Sequence, residues 1–250
     1  MNDRTWYLGV GPDAVADRAI LVGDPARVDL FAERLEGPVE FGGERALRGV
    51  TGSYRGTRVS VCSFGMGAPI AVIVMEELAQ VGTRAFLRAG TVLSLGDVAL
   101  GDLVMAHAAL RGESTSASYV PAGYPAAADP ELLTCARSVL DRSGERYRIG
   151  VVATFDAFYV ELLAARPERA EHISRRLEQL RGLGVLAADM ETSAVLAVAP
   201  AIGARAGSLC LASVEGIGRN RLNGDERRDG EERLTTAALD IILELHLEGS

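Results

Sequence analysis

The chain has 250 residues, a formal net charge of −8 and a hydrophobic fraction of 48%. That length fits one large domain, and the acidic balance excludes a general nucleic-acid binder, which needs a basic surface against phosphates. All 26 cationic residues are arginines, so a P-loop lysine, a Schiff-base lysine and a kinase-type lysine are excluded by absence.

The three cysteines, Cys62, Cys135 and Cys210, are odd in number and widely spaced in apolar contexts. They read as small buried hydrophobes, not as a disulfide framework. His107, His172 and His246 are equally scattered, which argues against a His/Cys metal site. No apolar run is long enough to span a membrane. The start, MNDRTWYLGVG, has neither the basic end nor the apolar stretch of a signal peptide. A cytoplasmic protein with no membrane partner is expected.

In chain order, a strand is expected over residues 19–23 and a helix over 26–35. An antiparallel excursion follows over 44–65, with a turn near 54–56 and a strand at 58–65. The helix expected at 69–81 opens on Pro69, where the missing N–H costs nothing. It is apolar nearly all round until Glu76 and should be buried. Strands at 85–90 and 102–110, a helix at 129–143, a strand at 147–155 and a helix at 167–180 come next. A strand at 185–188, a helix at 190–202, a strand at 208–214 and a helix at 226–246 complete the chain. This alternation predicts an α/β sheet with helices on its faces, in a single domain over 1–250. Residues 123–131 and 218–232 read as loop-like inserts.

Ligands of open α/β sheets bind beyond the carboxyl ends of strands. Gly23-Asp24-Pro25 with Arg27 follows the first strand, FGMGAP (64–69) follows the strand at 58–65, and RAGT (88–91) ends the strand at 85–90. Glycines there let backbone N–H groups approach a ligand, and two arginines suit an anion such as phosphate. Each arginine alone reads equally as a solvated charge at a helix end. GMGAPI lacks the third glycine of a dinucleotide fingerprint, so a Rossmann oxidoreductase is rejected. DMET (189–192) sets Asp189 and Glu191 at a strand-to-helix junction. The pair could hydrogen-bond the vicinal hydroxyls of a sugar, or Asp189 could simply cap the helix.

Together these motifs, in order, resemble the nucleoside phosphorylase family of the uridine phosphorylase and hexameric purine nucleoside phosphorylase type. The resemblance runs from about Tyr7 to His246, through GDPARV, VCSFGMGAPIAVIVMEELAQVGTRAFLRAGT, Gly101-Asp102, DAFY (156–159) and DMETSA. It implies a three-layer α/β/α fold around a central mixed sheet. It implies phosphate bound at Gly23, Arg27, Arg88 and Thr91, with Arg45 reaching in from a neighbouring subunit. It implies ribose bound by Met190 and Glu191, and a base stacked on Phe158. The implied partners are a nucleoside and inorganic phosphate, with no cofactor, and a homodimer unit assembled into a hexamer as a trimer of dimers.

The departures from the family bear on specificity. Tyr7 stands where the family has a histidine that reaches the sugar 5′-hydroxyl across the dimer interface. Asp189 shortens the first acid of the Glu-Met-Glu pattern. Val92-Leu93 replaces a small residue and glycine beside the base. Leu162 and Ala164 fall where uridine phosphorylases place the glutamine and arginine that read uracil. Glu215 comes one residue later than the acid with which purine members protonate the leaving base, and a one-residue shift in a strand turns a side chain to the opposite face. Arg233 matches the assisting arginine of the last helix. The implied reaction is reversible phosphorolysis of a nucleoside N-glycosidic bond, with the base left open. A water-using nucleosidase and a non-catalytic nucleoside-binding homologue are the alternatives.

Overall fold

The computed structural model describes residues 4–42, 45 and 47–247. Of the strands, β1 (Arg18–Val22) is buried along its whole length and lies parallel to both β4 (Thr57–Ser63) and β5 (Ala85–Ser94). A short strand buried on both faces is apolar throughout, as this RAILV run is after its first residue. Beyond β4, the antiparallel strands β3 (Arg48–Tyr54) and β2 (Glu36–Gly42) form one edge. The β3–β4 turn uses Arg55 at φ 48° and Gly56 at φ 82°, the left-handed pair that a tight hairpin requires.

On the other side β5 pairs with β10 (Arg205–Glu215) in parallel and with β9 (Val185–Asp189) in antiparallel fashion. The strands β6 (Leu103–Gly112) and β8 (Tyr147–Phe155) complete a path from β10 through β6, β8 and β9 back to β5. The mixed sheet is therefore open at the β2 edge and closed on itself at the other end. The two-residue β7 (Ala126–Ala127) pairs with β6.

Helices cover both faces. On one, α2 (Ala68–Gln80) and α5 (Thr192–Ala201) pack on Ala19, Leu21 and Phe86. On the other, α1 (Ala26–Ala32), α3 (Pro130–Ser143) and α6 (Gly224–Glu244) pack on Ile20, Val22 and Leu87. The alternation of β1 and β5 thus assigns Arg88, on the Phe86 face, to the α2/α5 layer. The helix α4 (Pro167–Gly182) lies against β9.

Local signals explain several boundaries. Asp129 accepts from the Glu131 and Leu132 N–H groups at the start of α3, and Pro130 follows it. A capping box of Asn223 and Glu226 starts α6. That box starts α6 two residues before the expected 226, so 224–232 of the segment read as a loop-like insert are helical. Strand β2, the short β7, the π-helical turn Phe158–Leu162 and the 3-10 turns Pro12–Ala14 and Ser116–Ser118 were not expected. Among the described residues no helix is long and apolar enough to cross a membrane.

Candidate active site

Arg88 projects from the middle of β5 and is 4% exposed. Its Nη2 donates to Glu191 Oε2 at 2.5 Å and lies 3.2 Å from Asp189 Oδ2. Its Nη1 donates to Cys210 Sγ at 2.6 Å. Burial works to lower the pKa of this guanidinium, but Cys210, Asp189 and Glu191 outweigh it and hold it above the ordinary arginine value. Burial raises the pKa of the Cys210 thiol, against the opposing pull of Arg88. Gly90 leaves room for this arrangement: a Cβ there would sit 2.1 Å from Arg88 Nη1.

Glu191 ends the β9-to-α5 junction. Its second oxygen, Oε1, accepts from the Gly67 N–H at 2.6 Å. Gly67 sits at φ 98° just before α2, a conformation that glycine adopts freely. The GMGAP turn is therefore tied to the DMET turn by one charge-assisted bond. Asp189 is engaged from several sides. It accepts from Thr154 Oγ1 at 2.8 Å and from the Thr192 N–H, and Thr192 Oγ1 donates to it as well. In this arrangement Asp189 ties down Thr192, the first residue of α5, and braces Arg88.

Arg27, near the start of α1, is 5% exposed and donates from Nη2 to Glu231 Oε1 of α6 at 3.0 Å. The two arginines thus belong to opposite helical layers, each with its own carboxylate. Both retain a buried Nε–H without a partner, and these are the only such side-chain nitrogens among the described residues. A buried unpaired donor costs free energy that an acceptor would recover. Gly23 lies between β1 and α1, where a Cβ would meet Gly65 O at 2.9 Å. Thr91 is half-buried, three residues beyond Arg88 on β5.

Phe158 and Met190 share one apolar cluster with Leu162, Ala164, Val214 and Ile217. This wall joins the π-helical turn to the ends of β9 and β10. Phe158 also meets Tyr159 edge-to-face, with centroids 5.1 Å apart.

Glu215 ends β10, and here the structure resolves the offset of one residue. The β5–β10 register shifts between Ala212 and Val214, so that Glu215 pairs with Ser94 as Ser208 pairs with Arg88. The extra residue, Ser213, is a β-bulge. It returns Glu215 to the face that carries Arg88. Asn220 Nδ2 donates to Glu215 Oε2 at 2.7 Å. Arg233 is held elsewhere. It donates to Glu145, Asp229 and the Gly101 carbonyl on the α6 side of the sheet. The structure does not bring it to Glu215.

Tyr7 and Arg45 lie together. The Arg45 guanidinium stands 5.3 Å from the centre of the Tyr7 ring, a cation–π contact. Arg45 is exposed, at φ 51° between β2 and β3. Among the described residues, the side-chain hydrogen-bond partners of Arg88 and Glu191 are Cys210 and Gly67 and each other, not Tyr7 or Arg45.

Sequence reasoning singled out the turn that contains Gly67 but missed Cys210, Thr154 and Glu231 as parts of this constellation. Cys210 carried a usable signal, because alternation along 208–214 sets it beside Gly90 of RAGT. Glu231 carried none, since its contact spans 204 positions. Among the described residues no group of three or more His, Cys, Asp and Glu side chains is arranged to hold a metal ion.

A family model described as the phosphorylase superfamily matches residues 17–245. A uridine phosphorylase of Thermococcus kodakarensis is 32% identical over 243 residues, covering 95% of this chain and 85% of that protein. A guanosine phosphorylase of Halorubrum lacusprofundi is 34% identical, covering 94% and 92%. The crystal structure of a Vibrio fischeri uridine phosphorylase, complexed with 6-hydroxy-1-naphthoic acid, superimposes with a TM-score of 0.87 at 28% identity, covering 97% of this chain and 98% of that one. Domain-length matches of this kind, on a sheet that sets Arg88 against Glu191, establish that the chain belongs to the phosphorylase superfamily.

Proposed function

We infer that this protein is a nucleoside phosphorylase, which cleaves a nucleoside with inorganic phosphate to give the free base and ribose 1-phosphate. The observation that carries this reading is the pair of buried arginines, Arg27 and Arg88, each with an unpartnered Nε–H beyond its carboxylate contact. Phosphate offers acceptors of the matching charge. A nucleosidase would have no need of these donors, because water carries no charge to hold.

In the proposed mechanism Arg27, Arg88, Gly23 and Thr91 hold phosphate, and Arg45 of a second copy closes over it. Glu191 accepts from the ribose hydroxyls, Met190 packs on the sugar, and the partner's Tyr7 donates to or accepts from the 5′-hydroxyl. The base stacks on Phe158. As the C1′–N bond lengthens, its electron pair moves to the base and C1′ gains positive charge. A phosphate oxygen then forms the new bond to C1′. Arginines fixed before the reaction place the anion against that developing charge, and alignment of two bound substrates supplies much of the remaining acceleration. Glu215 delivers a proton to the departing base, and Arg233, on the opposite side of the sheet, takes no part in that step. Asp189 orients Arg88 and the DMET turn. The reaction so written consumes phosphate and calls on no metal or organic cofactor.

Aliphatic Leu162 and Ala164 at the uracil-reading positions leave the base open between pyrimidine and purine. The proposed assembly is a homodimer unit built into a hexamer, and the proposed compartment is the cytoplasm. A panel of purine and pyrimidine nucleosides, incubated with and without phosphate, tests the reaction by release of free base. Release that requires phosphate is expected. Release without phosphate would make the protein a nucleosidase, and tight binding without release a nucleoside-binding homologue.

A further inference from the structure

Glu77 is a carboxylate in the buried half of α2, 7% exposed, between apolar neighbours Val74, Met75 and Leu78. Each of its oxygens accepts one backbone N–H: Tyr7 N–H to Oε1 and Leu8 N–H to Oε2, both at 2.7 Å. Burying a carboxylate is unfavourable unless its lone pairs are met. An apolar residue would fill the same space without that cost. The charge is therefore spent on gripping two consecutive residues of the N-terminal arm.

The arm is built to be gripped there. The Thr5 N–H donates to the Val10 carbonyl, and the Val10 N–H donates back to Thr5 Oγ1. These bonds close a small loop with Gly9 at φ 63°. Leu8 and Val10 are buried in the core, whereas Trp6 in the same loop is 86% exposed. The Tyr7 ring in turn carries the Arg45 guanidinium at 5.3 Å. Fixing the Tyr7 backbone thus fixes the platform on which Arg45 stands.

We infer that Glu77 is a positioning residue that aims Tyr7, and through it Arg45, at the active site of a second copy of this chain. The inference rests on the shared-site reading above and adds the group that sets the arm. The helix α2 would then serve two sites. Its N-terminal end meets Glu191 of its own subunit through Gly67, and Glu77, near its other end, holds the arm that serves the partner.

Complementation in mixed assemblies tests this. In Glu77→Gln one carboxylate oxygen becomes an NH2 group, which cannot accept from an N–H. The homo-oligomer should lose at least about tenfold in kcat/KM, the effect of about one lost charge-assisted bond. Differently tagged Glu77→Gln and Arg88→Ala subunits are co-expressed, and particles carrying both tags are purified. A site built on the Glu77→Gln subunit then receives an intact arm from its partner. Activity should return to about a quarter to a half of wild type, as two-fold pairing of random subunits dictates.

Arg45→Ala with Arg88→Ala is the control for sharing itself. If the control recovers activity and the Glu77→Gln mixture does not, Glu77 acts within its own subunit and the inference is overturned while the shared site stands. If the control also fails, the shared site is wrong and the inference falls with it. Wild-type activity in the Glu77→Gln homo-oligomer overturns the inference alone. Glu77→Asp, one methylene shorter, replaces Glu77→Gln if that variant does not assemble, and Glu191→Gln replaces Arg88→Ala on the same ground.

Discussion

Arg88 Nη2 lies 2.5 Å from Glu191 Oε2, so the proposed phosphate arginine and the proposed ribose carboxylate hold one another in place before any substrate arrives. Neither can be altered without loosening the other. Arg88→Ala should therefore do two things. It should remove about 2–4 kcal/mol of transition-state stabilisation through a lost charge-assisted contact to phosphate. It should also cost about 3–5 kcal/mol of stability by leaving buried carboxylates unpaired. Kinetics at saturating nucleoside, with a thermal melt of the same sample, separate the two. Near-normal turnover at ordinary phosphate concentrations would remove Arg88 from the phosphate site.

Glu191→Gln keeps an acceptor for the Gly67 N–H but turns an NH2 group toward Arg88 or the sugar. A loss of about tenfold or more in kcat/KM is expected, from charged hydrogen bonds worth roughly 1.5–3 kcal/mol. With the wild-type enzyme, 2′-deoxy and 3′-deoxy nucleosides should suffer a comparable penalty. If they lose nothing, Glu191 is not a ribose ligand.

Gly90→Ala probes the same pair without touching either charge. The new Cβ would meet Arg88 Nη1 at 2.1 Å, so the guanidinium must leave Cys210 or Glu191. Phosphate KM should rise at least about tenfold, or roughly 1.4 kcal/mol. An unchanged phosphate KM in a folded Gly90→Ala protein would show that the observed Arg88 rotamer is not the one that binds phosphate.

The fold was largely legible because its signals are local. Every strand expected between 19 and 214 corresponds to an observed one, from β1 at Arg18–Val22 to β10 at Arg205–Glu215. Strand β2 escaped because its EGPVEFG sequence is mostly exposed and has a proline, so no apolar pattern marks it. The GDPAR, RAGT and DMET turns were legible as site elements because glycine and charge at strand ends are rare in a plain core. What could not be read was partnership. No spacing rule links Arg27 to Glu231 or Glu77 to Tyr7, since only tertiary packing makes those pairs. The bulge at Ser213 was likewise invisible, and it decides which way Glu215 faces.

The cysteines give a prediction about chemistry outside catalysis. Burial raises the pKa of Cys62, Cys135 and Cys210 alike, with Glu77 adding to the shift at Cys62. A raised pKa keeps a thiol protonated, and the protonated form is unreactive. At about pH 8, near the ordinary cysteine value, a disulfide-exchange reagent should find no fast thiol in the native protein. All three cysteines of the chain should react after denaturation. A rapidly reacting native thiol would contradict their burial.

Glu215 offers the sharpest link between local backbone geometry and chemistry. It shares the Arg88 face because the bulge at Ser213 absorbs one residue of β10 and leaves Glu215 paired with Ser94. If it protonates the departing base, its value must depend on the leaving group. Glu215→Gln should slow phosphorolysis of the preferred nucleoside by about 10²–10⁴-fold, the range for a general acid. It should scarcely affect a nitrophenyl riboside, whose leaving group departs as a stable anion. Deleting Ser213 removes the bulge but keeps Val214 opposite Leu93 and Glu215 opposite Ser94, so the deletion should leave the leaving-group dependence as in wild type. Rates for both substrates with wild type, Glu215→Gln and the deletion decide the matter. An equal slowing of both substrates by Glu215→Gln would mean that Glu215 shapes the pocket without donating a proton. If the deletion suffers the same selective loss as Glu215→Gln, the pairing of Glu215 with Ser94 is not what aims the acid.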